Sequence, residues 1–551
     1  MAHLVQKTFY IFALGWIALG CGSSGDSERA GKPGTQGCES VTGSPWVPQI
    51  SADSSAPPST LMSDVFSTRT DVIGYSDPVL DSTFTTFQIP MEEDLGENGS
   101  LTLVAEVTDF PAGVRGVGVP LLVSLTDGER DWIALNKAGA PGGCGDEGLF
   151  TCTPFGCSIS SECDLNETSA YASLSQWLQH QVNPFAAISM NVFPTCNWNS
   201  GEPGCAFNTD FFVAGSRLRH GPGVTYTAKY LVLSDGSKNV APGNQANVRL
   251  EVIRKKASDP VDTIRFNIFL VGTKNIRASR TTKGKANLDA LVGYLDRHYS
   301  QSARAIRIAR VNVYEWTCEQ GGDAFASAQI SRLGDLFQTG SLLPNPTTPS
   351  SPRVADAVNL FLVSDILDSD IEGTMLGVAG GIPGSIINGT GASGVAIATF
   401  NRLDQFNRNC PSEGPCPLEL HDEEFWTLGT TVSHETGHFL GLNHPSEGDG
   451  REHDALPDTP TCSETEVRRG IRLLTVNSCL RDRNDDGGRT CEQACGGYDG
   501  ITNFCEEAKE CQFNHLMWWT LKNYNSKTAR GDGNLLSDNS LSVLRYHALI
   551  R

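Results

Sequence analysis

Apolar and polar positions follow one rhythm over the first half of this chain and another over the second. Between residues 62 and 256 the signals are short and β-rich. Leu101–Thr108 (LTLVAEVT), Tyr226–Leu233 (YTAKYLVL) and Asn247–Ile253 (NVRLEVI) are enriched in Val, Ile, Thr and Tyr, the residues that fit a pleated surface. In the last of these, Val248, Leu250 and Val252 alternate with Arg249 and Glu251. That period of two predicts a half-buried strand. Residues 62–256 therefore read as an all-β, sandwich-like domain. Arg254-Lys255-Lys256 and Asp259-Pro260 mark its end. From 260 to 551 strands and helices alternate. Thr263–Val271 predicts a strand, and Leu288, Leu291, Val292, Leu295 and Tyr299 recur at helical spacing. Ala305–Trp316, Val358–Val363 and Gly394–Phe400 predict further strands, so this half reads as an α/β sheet domain. The fold class expected is α+β and multidomain.

The N-terminus changes the picture by giving a compartment. Lys7 is followed by a short apolar run, Thr8–Gly20, which ends at Cys21. Spanning a bilayer takes about 20 apolar residues, so 1–21 reads as an export signal rather than a membrane span. Ala18-Leu19-Gly20-Cys21 resembles the bacterial lipoprotein signal, which implies a lipid on Cys21. The protein would then be held at the cell envelope by a lipid anchor and not by a spanning helix; a plain secretory signal is the rival. Residues 22–61 are rich in Gly, Ser and Pro, a composition that buries too little apolar surface to fold and suits a tether.

Charge and cysteine content narrow the function further. The 551 residues carry a formal net charge of −21, which argues against a nucleic-acid partner, since phosphate binding needs clustered Lys and Arg. The 17 cysteines are hard to place in a reducing cytosol. Cys144, Cys152, Cys157, Cys163, Cys196 and Cys205 lie in a Gly-rich insert. Their spacing contains no CxxC pair, and export favours disulfides over a zinc site there. If Cys21 carries a lipid, an even number of cysteines remains.

The decisive segment is His434-Glu435-Thr436-Gly437-His438-Phe439-Leu440-Gly441-Leu442-Asn443-His444, which reads HExxHxxGxxH. Phe425, Leu428, Val432 and Phe439 form an apolar stripe at helical spacing, so the first five motif residues are expected on a packed helix. His434 and His438 then share a face and converge on one metal. Glu435 is rotated about 100° from His434, placed to reach a water rather than the ion. Gly441 lets the chain leave the helix, and His444 returns to the same metal. Three histidines leave one position open, the design of a catalytic Zn2+ site. The expected chemistry is hydrolysis of a protein or peptide substrate, with Glu435 as general base and then acid.

At these residues the sequence resembles the metzincin zinc proteases. Asp454-Ala455-Leu456-Pro457-Asp458-Thr459-Pro460, soon after the third histidine, resembles the pappalysin/cytophagalysin family within them. The resemblance implies a zincin-like catalytic domain over 260–551, with a mixed sheet over an active-site helix. It also implies a methionine turn beneath the metal, for which Met517 is the candidate. Two features depart from the family. Trp519 stands where many such enzymes have a Tyr that stabilises the transition state; its indole N–H offers a donor of another kind. Pro445, Glu447, Gly448 and Asp449 replace the usual aromatic-containing segment.

Three further readings stay open. Asp482, Asn484 and Asp486, with Gly487, match the start of a Ca2+ loop, although Gln493 stands where an EF-hand has Glu. Cys38 is a candidate zinc-blocking cysteine of a zymogen, or an ordinary disulfide partner. The 62–256 domain is an accessory module, or a prodomain released at Arg254-Lys255-Lys256. A rival from another class is a cell-surface adhesion protein on an inactive metzincin scaffold, to which Trp519 leans; the intact Glu435 argues against it.

Overall fold

The computed structural model describes residues 60–74, 84–96, 99–116, 118–128, 131–134, 150–153, 156–159, 187–192, 222–234, 237, 239–257, 262–271, 273, 283–300, 305–316, 325, 327–343, 353–367, 375–399, 422–445, 516–517 and 536–551. The first half contributes strands Thr60–Gly74 (β1), Thr85–Pro90 (β2), Ser100–Asp109 (β3), Gly118–Thr126 (β4), Asp131–Ala134 (β5), Phe150–Thr153 (β6), Gly156–Ile159 (β7), Ala187–Val192 (β8), Thr225–Ser234 (β9) and Gln245–Lys256 (β10). An 8-stranded sheet runs β5-β4-β9-β1-β10-β3-β8, with β2 also on β9; β6 and β7 pair apart from it.

Strand β1 joins the two arms of this sheet. Its residues Thr60 to Asp71 run antiparallel to β10, and Val72 to Gly74 run parallel to β9. Leu101 and Leu103 of β3 and Val248 and Leu250 of β10 share one core with Phe87, Leu121 and Tyr230 from the other arm. The two arms of the sheet thus share one core.

The second half contributes strand Thr263–Val271 (β11), helix Lys283–Tyr299 (α1), strands Arg307–Trp316 (β12) and Ser327–Gln329 (β13), helix Leu333–Gly340 (α2), strands Val358–Val363 (β14), Asp365–Leu367 (β15), Gly377–Ala379 (β16) and Val395–Ala398 (β17), and helices Asp422–Phe439 (α3) and Asp538–Tyr546 (α4). The main sheet has the order β12-β11-β14-β17-β16. Its strands are parallel except β16, which lies antiparallel at one edge. Among the described residues the molecule is α+β, with mixed sheets and few helices.

The apolar runs of β11 and β14 are explained by burial on both faces. Ile264, Phe266 and Ile268 of β11 and Leu360 and Leu362 of β14 join one core with Leu291 and Leu295 of α1, Leu428 and Val432 of α3, and Leu544 of α4. Phe269 and Phe361 face the opposite core, with Leu336 and Phe337 of α2. Their rings stack, with centroids 4.6 Å apart.

Two polar residues interrupt these runs at the same level. Asn312 Nδ2 donates to Asn267 Oδ1 at 2.9 Å, and Asn267 Nδ2 to Asn359 Oδ1 at 3.1 Å. Asn359 Nδ2 donates in turn to Asn388 Oδ1 at 3.0 Å and to the Ser393 carbonyl at 3.1 Å. This amide chain crosses three strands and ties the sheet to the loop before β17. It satisfies groups whose burial unpaired would cost about 1–3 kcal/mol each.

The two halves meet across more than a linker. The alternation over 247–253 predicts burial on one face, but β10 is buried continuously from Leu250 to Lys255. The reason is contact made by its second face: Ile253, with Val104 and Ala257, belongs to the core of the second half. Lys255 Nζ donates to the carbonyls of Arg545 (2.5 Å) and His547 (3.2 Å) at the end of α4. Ser100 Oγ donates to the Tyr546 carbonyl at 2.6 Å. The basic cluster is therefore no exposed linker, since Arg254 and Lys255 are buried inside a strand paired on both sides.

Candidate metal centre

Helix α3 carries the first two histidines and ends where the sequence directs. Gly441 has φ +107°, a conformation open to glycine. Its N–H donates to the His438 carbonyl at 2.8 Å, and that of Leu442 to the Gly437 carbonyl at 2.9 Å. This pair of bonds is the Schellman closure of a helix. It turns the chain back so that His444 faces the helix it has just left.

His434, His438 and His444 come together as a buried group able to hold a metal ion. Their Nε2 atoms are 3.0 Å apart (His434–His438), 3.0 Å (His438–His444) and 3.2 Å (His434–His444). Three nitrogens on one tetrahedral zinc would stand about 3.3 Å apart, given Zn–N bonds of about 2.05 Å.

The other ring nitrogens support that use. His434 Nδ1 lies 2.8 Å from the Leu516 carbonyl and His438 Nδ1 2.7 Å from the Leu442 carbonyl. A carbonyl only accepts, so each Nδ1 is assigned the proton. Each Nε2 then presents a lone pair, and the close Nε2–Nε2 approach of these two is not a hydrogen bond. Metal-ligating histidines are oriented by such carbonyl partners. The residues present thus fit a metal ion.

Glu435 stands beside the triad, as its rotation on the helix requires. Burial pushes its carboxyl up to about 7, against the opposing pull of His444 and of a hydrogen bond with the Ala379 backbone. That range suits a group that must accept and release a proton near neutrality. Edge strand β16 approaches closely: a Cβ on Gly377 would come within 2.6 Å of Glu435 Cγ. Met517 is buried against α3, where a Cβ on Gly437 would meet its sulfur.

Sequence reading missed the two carbonyls and the tight glycines Gly377 and Gly437. Gly437 was visible as the small residue inside the motif; the carbonyl of Leu516 has no side-chain signal. Cys21, Cys38, Asp482, Asn484, Asp486 and Trp519 lie outside the described residues, as does the 454–460 segment. Among the described residues no helix is long and apolar enough to cross a membrane. No protein-family model matches the chain, and no curated protein matches it.

Proposed function

We propose that this chain is an exported zinc-dependent endopeptidase of metzincin type. The observation that carries the reading is the convergence of three buried Nε2 atoms within 3.2 Å of one another, beside one buried carboxyl. His434, His438 and His444 would hold Zn2+, which when bound polarises a carbonyl and acidifies water. Glu435 takes the proton of the attacking water on its carboxylate and passes it to the leaving amine nitrogen. β16 is the terminal strand of its sheet and lies beside Glu435. An extended peptide pairing along it would be held by main-chain hydrogen bonds. The lipid anchor on Cys21 and the zincin-like assignment of 260–551 belong to the same proposal.

The test is cleavage of casein and of a proteome-derived peptide mixture, with metal analysis. Wild type is expected to carry one zinc and to lose activity with a chelator. Glu435→Ala is expected to keep the zinc and to lose about 10²–10⁴-fold in rate, the usual contribution of a general acid–base group. Cleavage by Glu435→Ala at the wild-type rate would overturn the mechanism. A zinc-loaded wild type that cleaves nothing would favour a binding role.

A further inference from the structure

Ser433 lies two residues before Glu435, so it projects from the opposite side of α3, about 200° away. Two groups from the last turn of α1 converge there. His298 Nδ1 is 2.7 Å from Ser433 Oγ, and Tyr299 Oη donates to the Ser433 carbonyl at 2.7 Å. Ser433 Oγ itself donates to the Gly429 carbonyl at 2.9 Å. Its single proton is thereby committed, so the proton between His298 and Ser433 is assigned to Nδ1 of a neutral imidazole. All three side chains are buried.

One turn earlier the helices touch directly. A Cβ on Gly429 would come within 2.6 Å of Tyr294 Cβ and 2.7 Å of Tyr294 Cγ, so glycine there permits the close approach. Tyr294 and His298 are four apart on α1, with rings 6.2 Å between centroids. Packing at 429 limits tilt. The two hydrogen bonds at 433 fix how far the helix is rotated and slid along its axis. A buried imidazole and a buried phenol both hydrogen-bonded to one serine on the far side of the proton-transfer residue are more than apolar packing requires.

We propose that His298 and Tyr299 are positioning residues that set the rotation and register of α3, and through it the aim of Glu435 and the two helical histidines. The inference rests on the peptidase reading for its kinetic consequence, though not for its geometric one. Active sites need their reacting groups held to within about 0.5 Å, and a misplacement of about 1 Å can cost about 100-fold in rate.

The experiment uses the full chain loaded with zinc for kinetics and with cobalt for spectroscopy, because the visible bands of cobalt report ligand geometry. Tyr299→Phe removes one hydroxyl and little volume; Ser433→Ala removes the acceptor of the imidazole. Both are expected to bind one metal per chain. Per metal-loaded molecule, kcat is expected to fall at least tenfold with KM within twofold, and the cobalt bands to shift. His298→Leu is expected to do the same, and His298→Asn, which keeps a donor near Nδ1, to recover most of both signals. Wild-type kcat per loaded molecule with unshifted cobalt bands in Tyr299→Phe and Ser433→Ala would overturn the proposal, even if the variants melt earlier. A wild type inert on peptides would overturn the peptidase reading instead, and the cobalt bands would still decide the positioning role.

Discussion

The sulfur of Met517 occupies the space that a Cβ on Gly437 would need. Gly437 lies on α3 between the two helical histidines, and the residue before Met517 supplies the carbonyl that orients His434. Gly437→Ala is expected to displace Met517 and with it the Leu516 carbonyl. Helix propensity alone would favour the alanine by about 1 kcal/mol, whereas overpacking costs about 1–3 kcal/mol. The net expectation is mild destabilisation with a larger loss in metal affinity, about 10–100-fold, as when a ligand loses its orienting partner. Competition titration with a chelator measures it. Unchanged affinity would mean that Met517 yields freely and does not support the site.

Lys255 links the two halves by capping α4. It is buried, and burial holds its ammonium well below the usual lysine range, with repulsion from Arg551 adding to the effect. Its two carbonyl partners belong to the C-terminal end of α4, where a cation or donor is favourable. Lys255→Met keeps the volume but strands both carbonyls. The expected cost is about 1–3 kcal/mol, with faster amide exchange at residues 545–549. Trypsin is expected to spare Arg254-Lys255-Lys256 in the folded protein, because that segment lies in a strand paired on both sides. Cleavage there under native conditions, with retained activity, would support a releasable prodomain.

These two relationships mark the limit of what could be read from residues in order. The strands around Leu250, Phe266 and Leu360 were legible because burial imposes a local pattern. The histidine triad was legible because helix geometry fixes the distance between residues four apart and Gly441 permits the turn to His444. The second face of β10 was not, because it is covered by a helix nearly 300 residues later in the chain, and nothing local distinguishes Lys255 from an exposed lysine. The asparagine ladder was hidden for a similar reason: Asn267, Asn312 and Asn359 become neighbours only once the strand register is set. The carbonyls of Leu442 and Leu516 are invisible in principle, since every residue has one.

Two buried histidines predict acid sensitivity. Burial, with a contribution from Arg297, lowers His298 from 6.5 to about 4, and burial with Lys255 nearby lowers His547 from 6.5 to about 3. Both are neutral in the fold, while the unfolded chain takes up protons from about pH 6.5 downward. Stability is therefore full above that pH and falls as pH drops from 6.5 toward 4, by about 1.4 kcal/mol per unit for each group. His547 is the cleaner probe, because its Nε2 has no partner and its ring packs near that of Phe439. In His547→Leu the denaturant midpoint is expected to fall less steeply over this window, by about one proton. An equal slope in the variant would show that His547 is not buried neutral.

Metal removal brings out the opposite sign at Glu435. In the metal-free protein its carboxyl is raised from 4.5 to about 7, chiefly by burial. The fold therefore holds a proton that the unfolded chain releases, and stability falls as pH rises from 4.5 to 7. Glu435→Gln is neutral throughout and escapes that cost. Metal-free Glu435→Gln is expected to exceed wild type by up to about 3 kcal/mol at pH 8 and to match it at pH 4.5. Zinc changes the comparison, because a nearby cation favours the ionised carboxylate. At one fixed zinc concentration, about 1,000 times the wild-type dissociation constant, wild type gains about 4 kcal/mol, and Glu435→Gln, which lacks the carboxylate and binds the ion more weakly, gains less, so the gap at pH 8 is expected to narrow. Thermal melts of both proteins, with and without zinc, at the two pH values check this. A gap at pH 8 that zinc leaves unaltered would mean that the ion does not sit beside Glu435.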